Sequence, residues 1–331
     1  MGKVLFFIFI LLSNIVFGKS EFIQMCEKPT PSQKATLEAI IEKDSYYIGL
    51  ERFNKKQCSI IERYLRSRKL LILGSKNITD LTPIQYFKNI QSLTIDETSV
   101  TDLSPLKNLT NLEKLYITYN PIKDLSVLKN FHKLNSLTLI LDKVEDISSI
   151  ENLTELEYVH LIDIQVVDFK YFSRLKRLRK LSFSYGKVKN LCTLNQLTQL
   201  EDLSLKHTQL NDIGCLRDLK KVDALSLSKN NLEDITVLQY FTKLTYLDLD
   251  QNPIKDLSPL INLKYLRKID IDSTKVEDLS ILKPLLPTLK KVRLGITEVK
   301  RCSAKNIEEL KAGKSCLNKD GTLKPFWKRW F

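Results

Sequence analysis

Histidine, tryptophan, glycine and cysteine are all scarce in this chain of 331 residues. Three His leave little material for a His-based metal or acid–base site. Nine Gly and ten Pro exclude a collagen-like or low-complexity chain, and six Cys are too few for a disulfide-dense scaffold. The sequence holds no G-x-S-x-G, H-E-x-x-H or C-x-x-C motif and no Gly-rich phosphate loop. His132, His160 and His207 stand far apart, none at a recognisable spacing from a nucleophile. An enzyme is therefore not expected, and neither is a cofactor or a resident metal. Past the N-terminus no run of 18 apolar residues occurs, so no later membrane span is expected.

What is present is a large apolar fraction, 43%, together with a formal charge of +13. The first is enough for a sizeable core. Lys3 precedes the apolar run Val4–Leu12, and Val16-Phe17-Gly18 supplies a cleavage-like end. Residues 1–18 thus read as a secretory signal peptide cut after Gly18, too short to span a membrane. A lipid anchor at Cys26 is not expected, because Met25 stands where a small residue is needed. Export into the medium, the periplasm or onto the cell surface follows. It argues against nucleic acid as the partner of the positive charge.

The strongest signal is an internal repeat. Asp80-Leu81, Asp102-Leu103, Asp124-Leu125, Asp146-Ile147 and Asp168-Phe169 are each 22 residues apart. Asn190-Leu191, Asp212-Ile213, Asp234-Ile235, Asp256-Leu257 and Asp278-Leu279 keep the phase. An eleventh unit begins at Leu289 after a one-residue slip near Pro287. In one unit, Leu247 and Leu249 alternate with Tyr246, Asp248 and Asp250, the period of a strand buried on one face. Asn252-Pro253 turns the chain, and Ile254, Leu257, Leu260 and Leu263 point back inward. A unit of 22 residues is too short for a full helix on the return, so a 3₁₀ turn or extended segment is expected there. The repeated Asp looks like a carboxylate array, but its place before each return suits it to capping free N–H groups. One unit cannot bury its apolar side; stacking does so. The fold expected is an α/β solenoid, a right-handed horseshoe with a concave parallel β-sheet, a 3₁₀ or extended convex side and helical caps at both ends.

The unit L-x-x-L-x-L-x-x-N-x-I-x-D-L-x-P-L resembles the 22-residue leucine-rich repeats found in bacterial internalins. The resemblance covers residues 68–300 and implies a binding scaffold. Asn120, Asn230 and Asn252 match its Asn position, while Thr98, Asp142, Ile164, Gly186, Thr208 and Thr274 depart from it. A weakened side-chain ladder and a local change of curvature are expected at Ile164 and Gly186. Residues 19–67 read as a helical N-terminal cap, with helix from about 30 to 66, and residues 301–331 as a C-terminal cap and basic aromatic tail. Bridges Cys26–Cys58 and Cys302–Cys316 would pin the two caps. Cys192 and Cys215 lie on adjacent units one position out of register, either bridged or left as buried thiols.

The outward strand positions form the face that could bind. Numbering the units (coils) from the one carrying Asp80, coils three to six place Tyr116, Tyr119, Ile140, Leu141, Tyr158, His160, Ile162 and Tyr185 there. Such a patch is not needed for the core and points to a protein or peptide partner. Ser182, Ser184, Ser204, Ser226 and Ser228 follow as a hydroxyl strip, then Asp248, Asp250, Asp270 and Asp272 as an acidic patch. The patch is answered by Lys268, Lys291 or Arg293, by a bound cation, or by a basic partner. The tail Lys324–Phe331 mixes both Trp with three cations; it suits either peripheral contact with an anionic membrane or polymer, or folding back over the last coil. The chain is expected to be a monomer.

Overall fold

The computed structural model describes residues 19–141 and 144–293. The expected signal peptide, the C-terminal cap with Cys302 and Cys316, the tail and Asp142 lie outside the described residues.

The N-terminal cap is three helices. α1, Glu21–Glu27, opens with the Ser20 hydroxyl accepting from the Ile23 N–H. α2, Pro31–Ile48, starts from a reciprocal capping box between Thr30 and Gln33 with Pro at the first turn, and stops at Gly49 in the left-handed region (φ 71°). α3 runs Cys58–Ser67. Helix was expected only from residue 30; α1, with seven residues, spans too few turns to show a period. The bridge Cys26–Cys58 joins α1 to α3 across a Cα–Cα distance of 5.8 Å. Phe22, Leu37, Ile40, Ile41, Ile61 and Leu65 are buried under it. Thr36 on α2 donates its hydroxyl to the Asp80 carbonyl at 2.6 Å, tying the cap to the first coil.

Beyond the cap, eleven parallel strands among the described residues pair in chain order into one open sheet, from Leu70–Leu73 to Lys291–Arg293. Each strand meets the residue 22 positions on, as in Leu225 opposite Leu247. At the last pair the offset becomes 23, Ile269 opposite Val292, which is the slip read near Pro287. Leu247, Leu249, Ile254, Leu257, Leu260 and Leu263 are all buried. Each is worth about 1.5–3 kcal/mol relative to exposure. The return segments are 3₁₀ turns, such as Ser126–Asn130 and Ser258–Leu260. Before these turns the repeated carboxylates cap: Asp102 accepts from the Ser104 N–H at 2.7 Å, Asp124 from Ser126 at 2.7 Å, and Asp256 from Ser258 at 2.8 Å.

The turn after each strand is zipped by the Asn positions. The Asn230 carbonyl oxygen accepts from the N–H of Thr208 and of Leu210, both at 3.0 Å, while its amide donates to the carbonyls of Leu205 (2.7 Å) and Leu227 (2.8 Å). Asn120 and Asn252 make equivalent buried bonds. Thr98 and Thr208 donate their hydroxyls to Asn120 and Asn230 of the next coil, so a Thr side chain keeps the ladder going. Ile164 and Gly186 cannot. There the backbone substitutes for side chains: Val166–Asp168 pairs with Lys187–Lys189 as a second, two-stranded parallel sheet. Its offset is 21 residues against 22 in the main sheet, so one turn is a residue tighter than the other. Gly186 makes the tighter turn; a Cβ there would lie 2.1 Å from the Ile164 carbonyl oxygen and 2.6 Å from the Phe183 ring. The expected local irregularity thus takes the form of an added ladder. One coil further, Cys192 and Cys215 are bridged across 5.4 Å between Cα atoms, and Cys192 is exposed.

Candidate functional site: the concave sheet face

Alternation along the strands and the 22-residue register line up side chains in rows across the coils. One row runs Ile72, Thr94, Tyr116, Thr138, His160, Ser182, Ser204, Ser226, Asp248, Asp270, Arg293. A second row sets Thr118, Ile140, Ile162 and Ser184 side by side. Tyr158 stands in the row nearer the strand start, with the Lys180 ammonium 5.9 Å from its ring centre. Tyr119 and Tyr185 occupy the turn position just past the strand, at 63% and 52% exposure. The Tyr185 and His207 rings are 5.1 Å apart. Tyr116, Ile140, His160 and Ile162 are half-buried, and Tyr158 is exposed. These seven expected residues form one surface over coils three to six.

Leu141 does not belong to it. It is 1% exposed and lies in the core. Its equivalents Glu97, Tyr119, Asp163, Tyr185, His207, Lys229, Gln251 and Ser273 all have positive φ, which swings their side chains out onto the rim. Leu141 lacks that backbone conformation, and its side chain is buried against the apolar interior. Period-two counting cannot see this, because the strand ends at Ile140.

Burial of the His160 imidazole pushes its pKa below the ordinary histidine value, so the patch is uncharged near neutral pH. The serine strip forms a low floor next to it: Ser184, Ser226 and Ser228 are buried between their larger neighbours.

The acidic residues gather beyond that floor. Asp248 is buried on the outward side of the sheet; it accepts from the Ser226 hydroxyl at 2.6 Å and pairs with Lys206, two coils back, at 3.1 Å. Asp270 pairs with Arg293 at 3.3 Å. Lys206 was absent from the cations expected to answer these carboxylates, because a pairing that skips a coil is invisible to nearest-neighbour counting. One Asp250 oxygen accepts from the Gln251 amide at 3.0 Å; the other is buried without a hydrogen-bond partner. Burial, first of all, holds the Asp250 and Asp270 carboxyls above the usual carboxylate range, and neighbouring Asp charges add to it. Among the described residues no cluster of His, Cys, Asp or Glu is arranged to hold a metal ion.

Further exposed apolar side chains escaped the sequence reading. Leu70 and Ile72 begin the concave rows, and Tyr46 and Tyr47 stand on α2 near the same end. Their strand precedes the first full repeat, and Tyr46 and Tyr47 sit where the helix pattern ends.

Comparison with known proteins fits this geometry. A family model described as "Leucine Rich repeats (2 copies)" matches residues 88–130 and 242–284. The fold is that of an internalin-like leucine-rich-repeat solenoid. The structure is similar to that of an internalin (inlF) from Listeria monocytogenes, with a TM-score of 0.66 at 23% identity, covering 82% of this chain and 86% of that one. It is also similar to the functional domain of InlJ from Listeria monocytogenes, which includes a cysteine ladder: TM-score 0.66, 19% identity, 83% of this chain and 63% of that one. The Arabidopsis receptor kinase HAESA, solved in complex with the peptide hormone IDA and the co-receptor SERK1, matches this solenoid at TM-score 0.57 and 16% identity, over 69% of this chain and 42% of that one. No curated protein matches at the level of sequence. The resemblance read from the repeat unit holds as a statement of fold, and no helix among the described residues is long and apolar enough to cross a membrane.

Proposed function

We propose that this chain is an exported binding protein that holds a protein or peptide partner on its concave face and catalyses no reaction. The observation that carries this reading is the continuous surface of Tyr116, Tyr119, Ile140, Tyr158, His160, Ile162 and Tyr185, which the core does not need. Exposed aromatic side chains supply large contact area at little entropic cost, the usual anchors of an interface. Export rests on the signal-like residues 1–18 and agrees with two bridges that need an oxidising compartment. The receptor kinase HAESA, similar in fold, was solved in complex with a peptide hormone, which supports a peptide-binding use here.

The test is photo-crosslinking in the native cell from position 158 or 185, with position 129, exposed on the 3₁₀ return Ser126–Asn130, as control. A defined partner recovered from 158 and 185 but not from 129, and lost when Tyr116, Tyr158 and Tyr185 become Ala, is the expected result. Retention unchanged by those substitutions and abolished by raised salt would instead favour a structural role, in which the basic surface associates with anionic polymers or lipid headgroups.

A further inference from the structure

The concave face is chemically polarised. Its apolar patch ends near Tyr185, a floor of small side chains follows, and carboxylates gather on coils nine and ten. The chain carries +13 overall, so this cluster runs against the charge of the molecule. Lys206 and Arg293 answer Asp248 and Asp270, but Asp250 enters no ion pair among the described residues and is only partly buried. A Lys or Arg side chain of a ligand can pair with its carboxylate there. Because one face presents both features, a single ligand can meet both.

We propose that the concave ligand is an extended peptide segment lying across the strands, with an apolar side chain at Tyr158 and a Lys or Arg side chain at Asp250. This deepens the proposed function and rests on it. Tyr158 and Asp250 are four coils apart, roughly 19 Å at the spacing of adjacent strands, and four positions apart along the strand direction, roughly 13 Å, so the diagonal between them is roughly 23 Å. An extended chain rises about 3.3 Å per residue, so the two anchors are about seven residues apart, with about six residues between them. The floor between them, Ser204 and Ser226, leaves room for backbone.

Fluorescein-labelled peptides test this. Each carries a Trp-Phe pair and a Lys-Arg pair joined by zero, three, six or nine Ser/Thr residues, in both chain orders, and binding to the full chain is read by anisotropy. The six-residue spacer is expected to bind at least tenfold tighter than the zero spacer in one of the two orders. Tyr158→Ala and Asp250→Asn, each with an unchanged circular-dichroism spectrum, are expected to remove that gain. Affinity indifferent to spacer length, or loss with Tyr158→Ala but none with Asp250→Asn, overturns the inference and leaves concave binding standing. No effect of either substitution overturns both. A chain ending at Leu323 that binds the six-spacer peptide tenfold tighter than the full chain would give the face to residues 324–331 and overturn a separate peptide ligand.

Discussion

At Gly186 the backbone runs so close to the preceding coil that a single methyl group has no room. Gly186→Ala is expected to cost about 1–3 kcal/mol by overpacking, read as a lower urea midpoint with unchanged slope. Asn230 is the reverse case, a side chain that fills its place completely. Asn230→Ala leaves the buried N–H groups of Thr208 and Leu210 unpaired, while the Leu205 carbonyl keeps the Thr208 hydroxyl and the Leu227 carbonyl keeps the Asn252 amide. At about 1–3 kcal/mol for each of the two groups left unpaired, a loss of about 2 kcal/mol or more is expected in the same measurement. Asp250 acts through its charge. Its folded pKa is raised by burial, so the folded state holds the proton more tightly than the unfolded one. Stability therefore falls as pH rises from the ordinary carboxylate value through the raised one. Asp250→Asn should raise the urea midpoint at neutral pH and leave it unchanged below the ordinary Asp value. Asp124 has the opposite sign: the Ser126 N–H and hydroxyl lower its pKa, so its contribution is present at neutral pH and is lost as pH falls through that lowered value. Asp124→Asn should therefore lower the neutral-pH midpoint.

Among the elements, strands and 3₁₀ returns were legible because one unit spells them and its neighbours repeat the spelling. Leu247 and Leu249 alternate with polar residues; Asp256 sits where the turn opens. What stayed hidden needed two units at once. The pairing of Val166–Asp168 with Lys187–Lys189 arises where Ile164 and Gly186 cannot join the side-chain ladder, and its partner lies on another coil. The concave rows were readable along the strands, yet Leu141 was misplaced because its fate depends on the sign of one dihedral at a strand end. The Cys192–Cys215 bridge required the true offset between adjacent returns. With 23 residues between its ends, the bridge is worth about 3.4 kcal/mol in the loop-entropy picture. Replacing both Cys by Ser should lower stability by an amount of that order without altering the far-ultraviolet spectrum. Thiol titration of the denatured, unreduced chain should find at most two free thiols among its six Cys.

At the scale of the molecule, nearest-neighbour stacking makes one whole coil removable. Deleting residues 222–243 brings Thr208 onto Asn252, which already serves Leu232 as Asn230 serves Leu210. That shortened chain should unfold cooperatively with a native-like spectrum. Deleting 222–241 instead leaves one unit two residues too long, so those residues must loop out of a turn, and stability should fall further than in the 22-residue deletion. In the first variant, the cross-strand part of the distance between Tyr158 and Asp250 shrinks by about 4.8 Å, one strand spacing.

The second ladder and the surface bridge both fall in the middle of the array, over the fifth to seventh coils. A spring clamped at its centre yields from its ends. Pulled by its termini in an optical trap, the molecule should release its outer turns in small early steps and surrender the central block last, at the highest force. Adding a reductant should erase that final plateau in part, since the covalent clasp opens while the backbone ladder stays.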